Sequence, residues 1–216
     1  MSFASVQPDT HVVVFDINIY LDVAALLGPP FTWAKFHDAA TKHSDDPLPH
    51  RDDPRIDSLR ALALCLSKRY AGHEPLEVWT SAHIDRLVVR KAGQPDDRSL
   101  PDEDRGLGWT ATEAEDLQDD LIAGLVYDLT SGGTVGEVGI AEGSPPLSNE
   151  DGRVLRTAVE VDTDHAVRYC ITQDRKFRRC GPQLLVNVQV LNAHEWVELV
   201  RKSRRMFAMS RFPSGA

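Results

Sequence analysis

The stretch that decides the fold is HVVVFDINIYLDVAALLG, residues 11–28. Residues 11–15 form an apolar, β-branched run typical of a strand that is buried on both faces. The residues that follow change to helical spacing, so the stretch predicts a strand-to-helix crossover. Asp16 then lies at the carboxyl end of the strand.

Further strands and helices alternate along the chain in the same way. Residues 76–80 predict a strand, and Ser81 predicts the cap of a helix that runs to about residue 92. Strands are also predicted at 168–172 and 184–191, and helices at about 55–71, 111–130 (capped by Thr110 or Thr112), 150–162 and from 193 onward. The alternation predicts a three-layer α/β/α sandwich on a mostly parallel central sheet.

The length of 216 residues indicates a single domain, residues 1–216, that carries two insertions. Residues 28–54 contain GPP and two DDP sequences with little periodicity, which predicts a long loop. The second insertion spans about 94–130 and begins with the polar, proline-containing residues 94–108. Residues 135–148 are a connector with at most one very short strand, and residues 201–216 predict a basic tail.

Composition excludes several classes of protein. No apolar run approaches the roughly 20 residues of a membrane span, and the N-terminus lacks the pattern of a secretion signal, so we expect a cytoplasmic protein. The three cysteines form no CxxC pair, and the eight histidines show no HxH or HExxH spacing, so no transition-metal site is predicted. The net charge of −9 argues against a uniformly basic nucleic-acid surface but is compatible with a nuclease that holds a metal through carboxylates.

Three aspartates from distant segments are predicted to meet at one edge of the sheet. Asp16 ends the first strand, Asp174 follows a later strand, and Asp151 opens the helix before that strand. Asp174 taken alone is explained as a helix cap. Parallel sheets, however, bind ligands outside the carboxyl ends of their strands, and carboxylates brought together need a cation among them. Oxygen ligands favour Mg²⁺ or Mn²⁺, which supports phosphodiester hydrolysis.

Three motifs resemble those of PIN-domain ribonucleases, the family that includes VapC-type toxins. VVVFDINIYLD resembles the opening motif with Asp16 and Asn18, SNEDGRVLRTAVE the motif with Asp151, and ITQDRKF the "Thr, x, Asp" motif with Thr172 and Asp174. The resemblance covers about residues 11–27, 76–92 and 148–200. It implies a metal-dependent endoribonuclease that acts on single-stranded or structured RNA, with Asn18 and Thr172 supporting the acids. It also implies an antitoxin partner and homodimers.

One position departs from the family pattern. The family generally places a glutamate on the helix after the second strand, but WTSAHIDRLVVRK contains none. Asp85 is the substitute that the sequence offers, and His83 is expected to bind a phosphate or a water. Arg175 and Lys176, directly after Asp174, are the residues expected to contact RNA.

The sequence has three alternative interpretations. A haloacid dehalogenase-type phosphatase requires a second aspartate where Asn18 stands, and a Rossmann nucleotide-binding protein requires a glycine-rich turn that DINIYLD lacks. The third alternative is a PIN-fold module that has lost part of its metal site and acts by binding RNA or protein.

Overall fold

The computed structural model describes residues 9–101, 104–163, 165–184 and 187–211. The strands in these residues are β1 (His11–Phe15), β2 (Leu76–Thr80), β3 (Gly133–Thr134), β4 (Val167–Ile171) and β5 (Val188–Leu191). They form one sheet in the order β3-β2-β1-β4-β5, and every neighbouring pair is parallel. With its helices the sheet makes a three-layer α/β/α sandwich, which confirms the predicted fold class.

Strand β1 is the centre of the sheet. Its four residues after His11 are fully buried, and Val13 lies opposite Val78 of β2 on one side and Tyr169 of β4 on the other. This surrounding explains why the strand consists of apolar, β-branched residues without alternation. The order of the strands reverses between β1 and β4, and the carboxyl ends at such a reversal border the crevice in which α/β sheets bind ligands.

Helices connect the strands. They are α1 (Ile17–Leu27), α2 (Trp33–Lys42), α3 (Arg55–Cys65), α4 (Ala82–Gly93), α5 (Ala111–Asp116), α6 (Asn149–Glu160), α7 (Arg175–Leu184) and α8 (Ala193–Ser210), with a π-helical segment at Leu117–Asp128. Ser81 caps α4 as predicted, because its Oγ accepts a hydrogen bond from the Ile84 N–H. Thr110, not Thr112, caps α5, and it forms a capping box with Glu113.

The prediction of a loop throughout residues 28–54 is wrong, because α2 lies within it. Thr32 caps this helix, Phe36 is fully buried, and the Phe36 ring lies 5.2 Å from the Trp33 ring and 6.4 Å from the Phe31 ring. A helix of ten residues with only two large apolar side chains shows too few turns to reveal its period in the sequence.

Three other predicted boundaries differ from the structure. Helix α3 ends at Cys65 rather than near residue 71, and Lys68 then adopts a φ of 58°. The predicted helix at 111–130 is α-helical for only its first six residues and continues as the π-helical segment. The strand predicted at 184–191 begins at Val188, because residue 184 still belongs to α7, which was not predicted, and residues 185–186 lie outside the described residues.

The connector and the C-terminus also differ from the prediction. The short strand expected within 135–148 lies just before that range, as β3. Of the predicted basic tail, residues 201–210 belong to α8, and residues 212–216 lie outside the described residues. Arg204 is not free in solvent, since its guanidinium donates to the backbone carbonyls of Leu64, Arg69 and Tyr70. No described helix combines the length and apolarity that crossing a bilayer requires.

Candidate metal centre

Asp16 lies in the one-residue turn between β1 and α1. Its side chain is 3% exposed, and Oδ1 accepts a hydrogen bond of 2.7 Å from the Ile17 N–H, which caps α1. Oδ2 accepts two more, each 2.6 Å long, from Thr172 Oγ1 and Asn18 Nδ2. These donors hold the carboxylate in one orientation at the carboxyl end of the central strand.

The environment of Asp16 opposes its ionisation. Its pKa is raised to about 7: burial is the main cause and the negative charges of Asp151 and Asp174 add to it, while the hydrogen bonds from Thr172 and Ile17 act in the opposite direction. A carboxylate that is buried beside other acids is costly unless a positive charge compensates for it.

Asp151 lies in the first turn of α6. Ser148 caps this helix, and its Oγ accepts a 3.0 Å hydrogen bond from the Asp151 N–H, which fixes the start of the helix beside the sheet edge. Burial raises the pKa of Asp151, the Ser148 hydroxyl lowers it, and the charge of Asp174 raises it. The pKa of buried Asp16 and that of partly buried Asp151 are therefore both raised by the charge of Asp174.

Asp174 lies three residues after the end of β4 and is exposed. Its Oδ1 accepts a 2.8 Å hydrogen bond from the Phe177 N–H at the start of α7, so the cap interpretation of this residue is correct. Its Oδ2 makes no hydrogen bond with any residue that the structure describes. The same side chain can therefore cap a helix through one oxygen and offer the other to a ligand.

Asn18 and Thr172 join the ends of β1 and β4. The Thr172 hydroxyl donates to Asp16 and accepts from Asn18 Nδ2 at 3.0 Å and from the Asp174 N–H at 3.0 Å. Asn18 Oδ1 accepts from the Gln173 N–H at 3.1 Å. The two side chains thus set the position of Asp174 relative to Asp16, which is the supporting role expected from the sequence.

One cleft collects the three predicted acids. It has a volume of about 200 Å³ and is bordered by polar residues from β1–α1, α6 and β4–α7, with apolar side chains beside them. Its polar lining is Asp16, Asn18, Glu150, Asp151 and Asp174, which we call the acidic cleft.

The acidic cleft has the donor chemistry of a site for a hard divalent cation, although its three aspartates do not bring their oxygens within 4.8 Å of one another. The charged groups of the cleft are all carboxylates, and neither histidine nor cysteine lines it. The pKa of its most buried acid, Asp16, is raised by burial and by the neighbouring acids. Oxygen donors of this kind are the ligands of Mg²⁺ and Mn²⁺, and a bound cation removes the repulsion among them.

Glu150 is a residue of the cleft that sequence reasoning missed. It precedes Asp151 in the first turn of α6, and Arg90 of α4 donates a 2.6 Å hydrogen bond to its Oε1. The sequence indicated Glu150 only as one of two adjacent acids in SNEDG. Two acids in the first turn of a helix are usual because of the helix dipole, so the pair did not mark a ligand site.

The structure does not bring Asp85 or His83 to the acidic cleft. Asp85 Oδ1 accepts a 2.7 Å hydrogen bond from Thr80 Oγ1, and burial raises the pKa of Asp85. His83 is 7% exposed and lines a different cavity. Arg175 and Lys176 are exposed in the first turn of α7, next to Asp174, and do not line the cleft.

His43, Asp46 and His50 form a second cluster that the sequence analysis did not anticipate. Asp46 Oδ2 lies 2.6 Å from His43 Nδ1 and 3.4 Å from His50 Nε2, which is close enough for a shared metal ion. His50 Nδ1, however, accepts a hydrogen bond from the Asp53 N–H, so the proton of the neutral ring sits on Nε2, facing Asp46. Hydrogen bonds alone account for this cluster.

No family model, curated protein or solved structure matches the chain.

Proposed function

We propose that the protein is a metal-dependent endoribonuclease of the PIN type, which hydrolyses phosphodiester bonds of single-stranded or structured RNA. The observation that carries the proposal is the convergence of Asp16, Asp151 and Asp174 on one cleft at the carboxyl edge of a parallel sheet. Mg²⁺ or Mn²⁺ is the proposed cofactor, and these three carboxylates are its proposed ligands.

The protein's own groups prepare the site for this reaction. When bound, the cation supplies an activated water and neutralises charge on the phosphodiester. Asp16 is held by hydrogen bonds to both oxygens, so it needs little rearrangement to bind a cation. Asp174 keeps one oxygen available, and Glu150 is held at the rim of the cleft by Arg90.

The remaining parts of the proposal concern partners. Arg175 and Lys176 add positive charge directly beside Asp174, where they can contact the phosphates of RNA. The resemblance to VapC-type toxins extends the proposal to a cytoplasmic toxin whose antitoxin covers the cleft, and to a homodimer.

The position of Asp85 favours the second candidate function, a PIN-fold module that binds RNA or protein without cleaving it. The helix on which the family places a further acid directs its single carboxylate to Thr80 instead of to the cleft. Glu150, which supplies a fourth carboxylate from a different helix, favours the nuclease.

The test is cleavage of an end-labelled single-stranded RNA with Mg²⁺, with Mn²⁺ and with a chelator. We expect cleavage that requires the metal. Because metal ions contribute several kcal/mol to such reactions, we expect Asp16→Asn and Asp174→Asn each to lower the rate at least about a hundredfold.

The matched control is Asp38→Asn, because Asp38 is an exposed acid on α2, away from the cleft. It should cleave like the wild type, and circular dichroism should show that all three variants fold. Metal-independent cleavage, or cleavage that survives both cleft substitutions, contradicts the proposal. Metal binding without cleavage over a range of RNAs indicates the binding module.

A further inference from the structure

A second, larger cavity opens beside the acidic cleft. It has a volume of about 710 Å³ and shares Leu87 and Glu150 with the cleft, so the two form adjoining parts of one surface depression. This volume lies within the range of cavities that hold small organic ligands or parts of larger ones. We call it the arginine cavity, after Arg86, Arg90 and Arg153 in its walls.

Three elements build the walls of the arginine cavity. Helix α4 contributes His83, Arg86, Leu87 and Arg90, whose spacing of three, four and seven residues places them on one helical face. Helix α6 contributes the opposite wall, which includes Glu150 and Arg153. The insertion at 94–130 closes a third side through Glu115 and Gln118.

Arg153 differs from the other two arginines because no carboxylate among the described residues contacts it directly, although the charge of Glu137 lies near enough to interact with it. Arg86 pairs with Glu137, and Arg90 pairs with Glu150. Arg153 makes no ion pair with any residue that the structure describes, although it is only partly exposed. Its guanidinium is therefore the charge in this cavity that an incoming anion can engage without first breaking a salt bridge.

Two nitrogen atoms of residues in these walls also lack hydrogen-bond partners. The Nε of Arg153 and the Nε2 of His83 are buried without a partner among the described residues. Leaving a buried polar group unpaired is unfavourable, and such groups call for an explanation, which a ligand or an ordered water can supply. Both residues belong to the same cavity, on helices that face each other.

The charge of the walls matches one phosphate better than several. Glu137 and Glu150 neutralise Arg86 and Arg90, so Arg153 is the one arginine of these walls that is left outside an ion pair. Burial and the nearby Arg153 lower the pKa of His83, so its ring adds no positive charge at neutral pH. A phosphodiester carries a single negative charge, whereas a nucleoside triphosphate carries several and would meet the glutamates of the walls. A strand of nucleic acid that crosses the acidic cleft would place a neighbouring phosphate in this cavity.

We propose that the arginine cavity is a subsite for single-stranded RNA, in which Arg153 binds a backbone phosphate next to the one at the acidic cleft. This proposal rests on the proposed ribonuclease function, because that function places the RNA strand across the acidic cleft. Its test, however, measures binding of RNA and not cleavage. Arg86 and Arg90 then flank the strand while remaining paired with Glu137 and Glu150.

The experiment measures binding of a fluorescent ten-nucleotide single-stranded RNA by anisotropy at several salt concentrations. The full chain carries Asp16→Asn, so that the RNA stays intact. Adding Arg153→Gln should weaken binding about tenfold, because it removes a hydrogen-bonded contact between two charged groups. The slope of log affinity against log salt should fall by about 0.7, the value for one phosphate contact to a single strand.

Two further variants separate a specific contact from a general loss of charge or of fold. Arg153→Lys keeps the charge and should recover most of the slope. Arg98→Gln removes an exposed arginine that lies in the insertion at 94–130 but does not line the cavity. This variant should bind RNA within about twofold of the parent.

The outcomes separate this subsite from the nuclease itself. If Arg153→Gln and its parent bind RNA with the same affinity and the same salt dependence, the proposed subsite is wrong, even if the wild type cleaves RNA. An equal loss for Arg98→Gln, or no RNA binding by any chain, overturns it as well. An Arg153-dependent affinity in a wild-type protein that cleaves no RNA supports the subsite and overturns the nuclease.

Discussion

At the scale of single residues, the acidic cleft depends on the way in which Asp16 is held. Its carboxylate is almost fully buried, its pKa is raised to about 7, and its two oxygens accept three hydrogen bonds. A side chain that is both fixed and electrostatically unfavourable costs folding stability. Such arrangements are typical of groups whose favourable partner is a ligand.

Glu150 and Asp85 allow a test of which fourth carboxylate belongs to the metal site. We expect Glu150→Gln to weaken Mn²⁺ affinity about tenfold, because it removes a charge that borders the cleft. Asp85→Asn should leave the affinity within about twofold, because Asp85 is bonded to Thr80 outside the cleft. Isothermal titration with Mn²⁺ measures both, and the reverse order of the two variants would show that Asp85 is the ligand.

The positions of the three aspartates were predictable, whereas that of the fourth acid was not. Asp16 and Asp174 follow buried strands, and Asp151 opens a helix that precedes one, so the rule for parallel sheets brings all three to one edge. The direction of a helical side chain depends on the rotation of the helix, which packing sets. For that reason the sequence could not show that α4 turns Asp85 toward β2 and that α6 presents Glu150.

At the scale of elements, His11 joins three segments at the opposite end of β1. Its ring stacks on Tyr70 at 3.6 Å, and its Nδ1 lies 3.2 Å from the Tyr169 hydroxyl of β4. Glu74 Oε2 lies 3.4 Å from Nε2, but that side chain is 40% exposed, so solvent screens its charge. Burial therefore dominates and lowers the pKa of His11 to about 4.

The lowered pKa of His11 predicts a loss of stability in acid. An unfolded histidine has a pKa of about 6.5, so between pH 6.5 and 4 the unfolded chain binds a proton that the folded chain does not. The contribution of His11 to the free energy of unfolding is therefore fully present above pH 6.5. It falls by on the order of 2–3 kcal/mol as the pH is lowered toward 4.

Urea denaturation at pH 7 and pH 4.5 measures this effect. In His11→Phe, which keeps an aromatic ring but cannot bind a proton, the fall in unfolding free energy between the two pH values should be smaller by about 2 kcal/mol. The matched control is His37→Phe, because His37 is exposed on α2, and it should behave like the wild type. An unchanged pH dependence in His11→Phe contradicts the assignment.

The elements with a clear period or cap were predictable, and the shorter ones were not. Strand β1 and the cap of α4 follow from local sequence alone, whereas for α5 the sequence left Thr110 and Thr112 as alternatives. Helix α2 depends on the packing of Phe31, Trp33 and Phe36. Helix α7 contains Gly181 and Pro182, which argue against a helix in the sequence. The change to π-helix at Leu117 requires tertiary context, because it shifts the register of the helical face without a marker residue.

At the scale of the whole molecule, the order of the strands places the acidic cleft at one edge of the sheet. The chain builds β1, β2 and β3 in one direction and then crosses to β4 and β5 on the other side of β1. The acidic cleft lies at this reversal, and the insertion at 94–130 supplies a wall of the arginine cavity beside it. An acidic protein can thus combine a carboxylate centre with a locally basic surface.

The most direct test of the central claim is a crystal structure of the protein soaked in Mn²⁺, with anomalous diffraction to locate the metal. We predict an anomalous peak in the acidic cleft, ligated by Asp16, Asp151 and Asp174. A cleft without a peak at saturating Mn²⁺, or a peak only at His43, Asp46 and His50, would contradict the proposed metal centre.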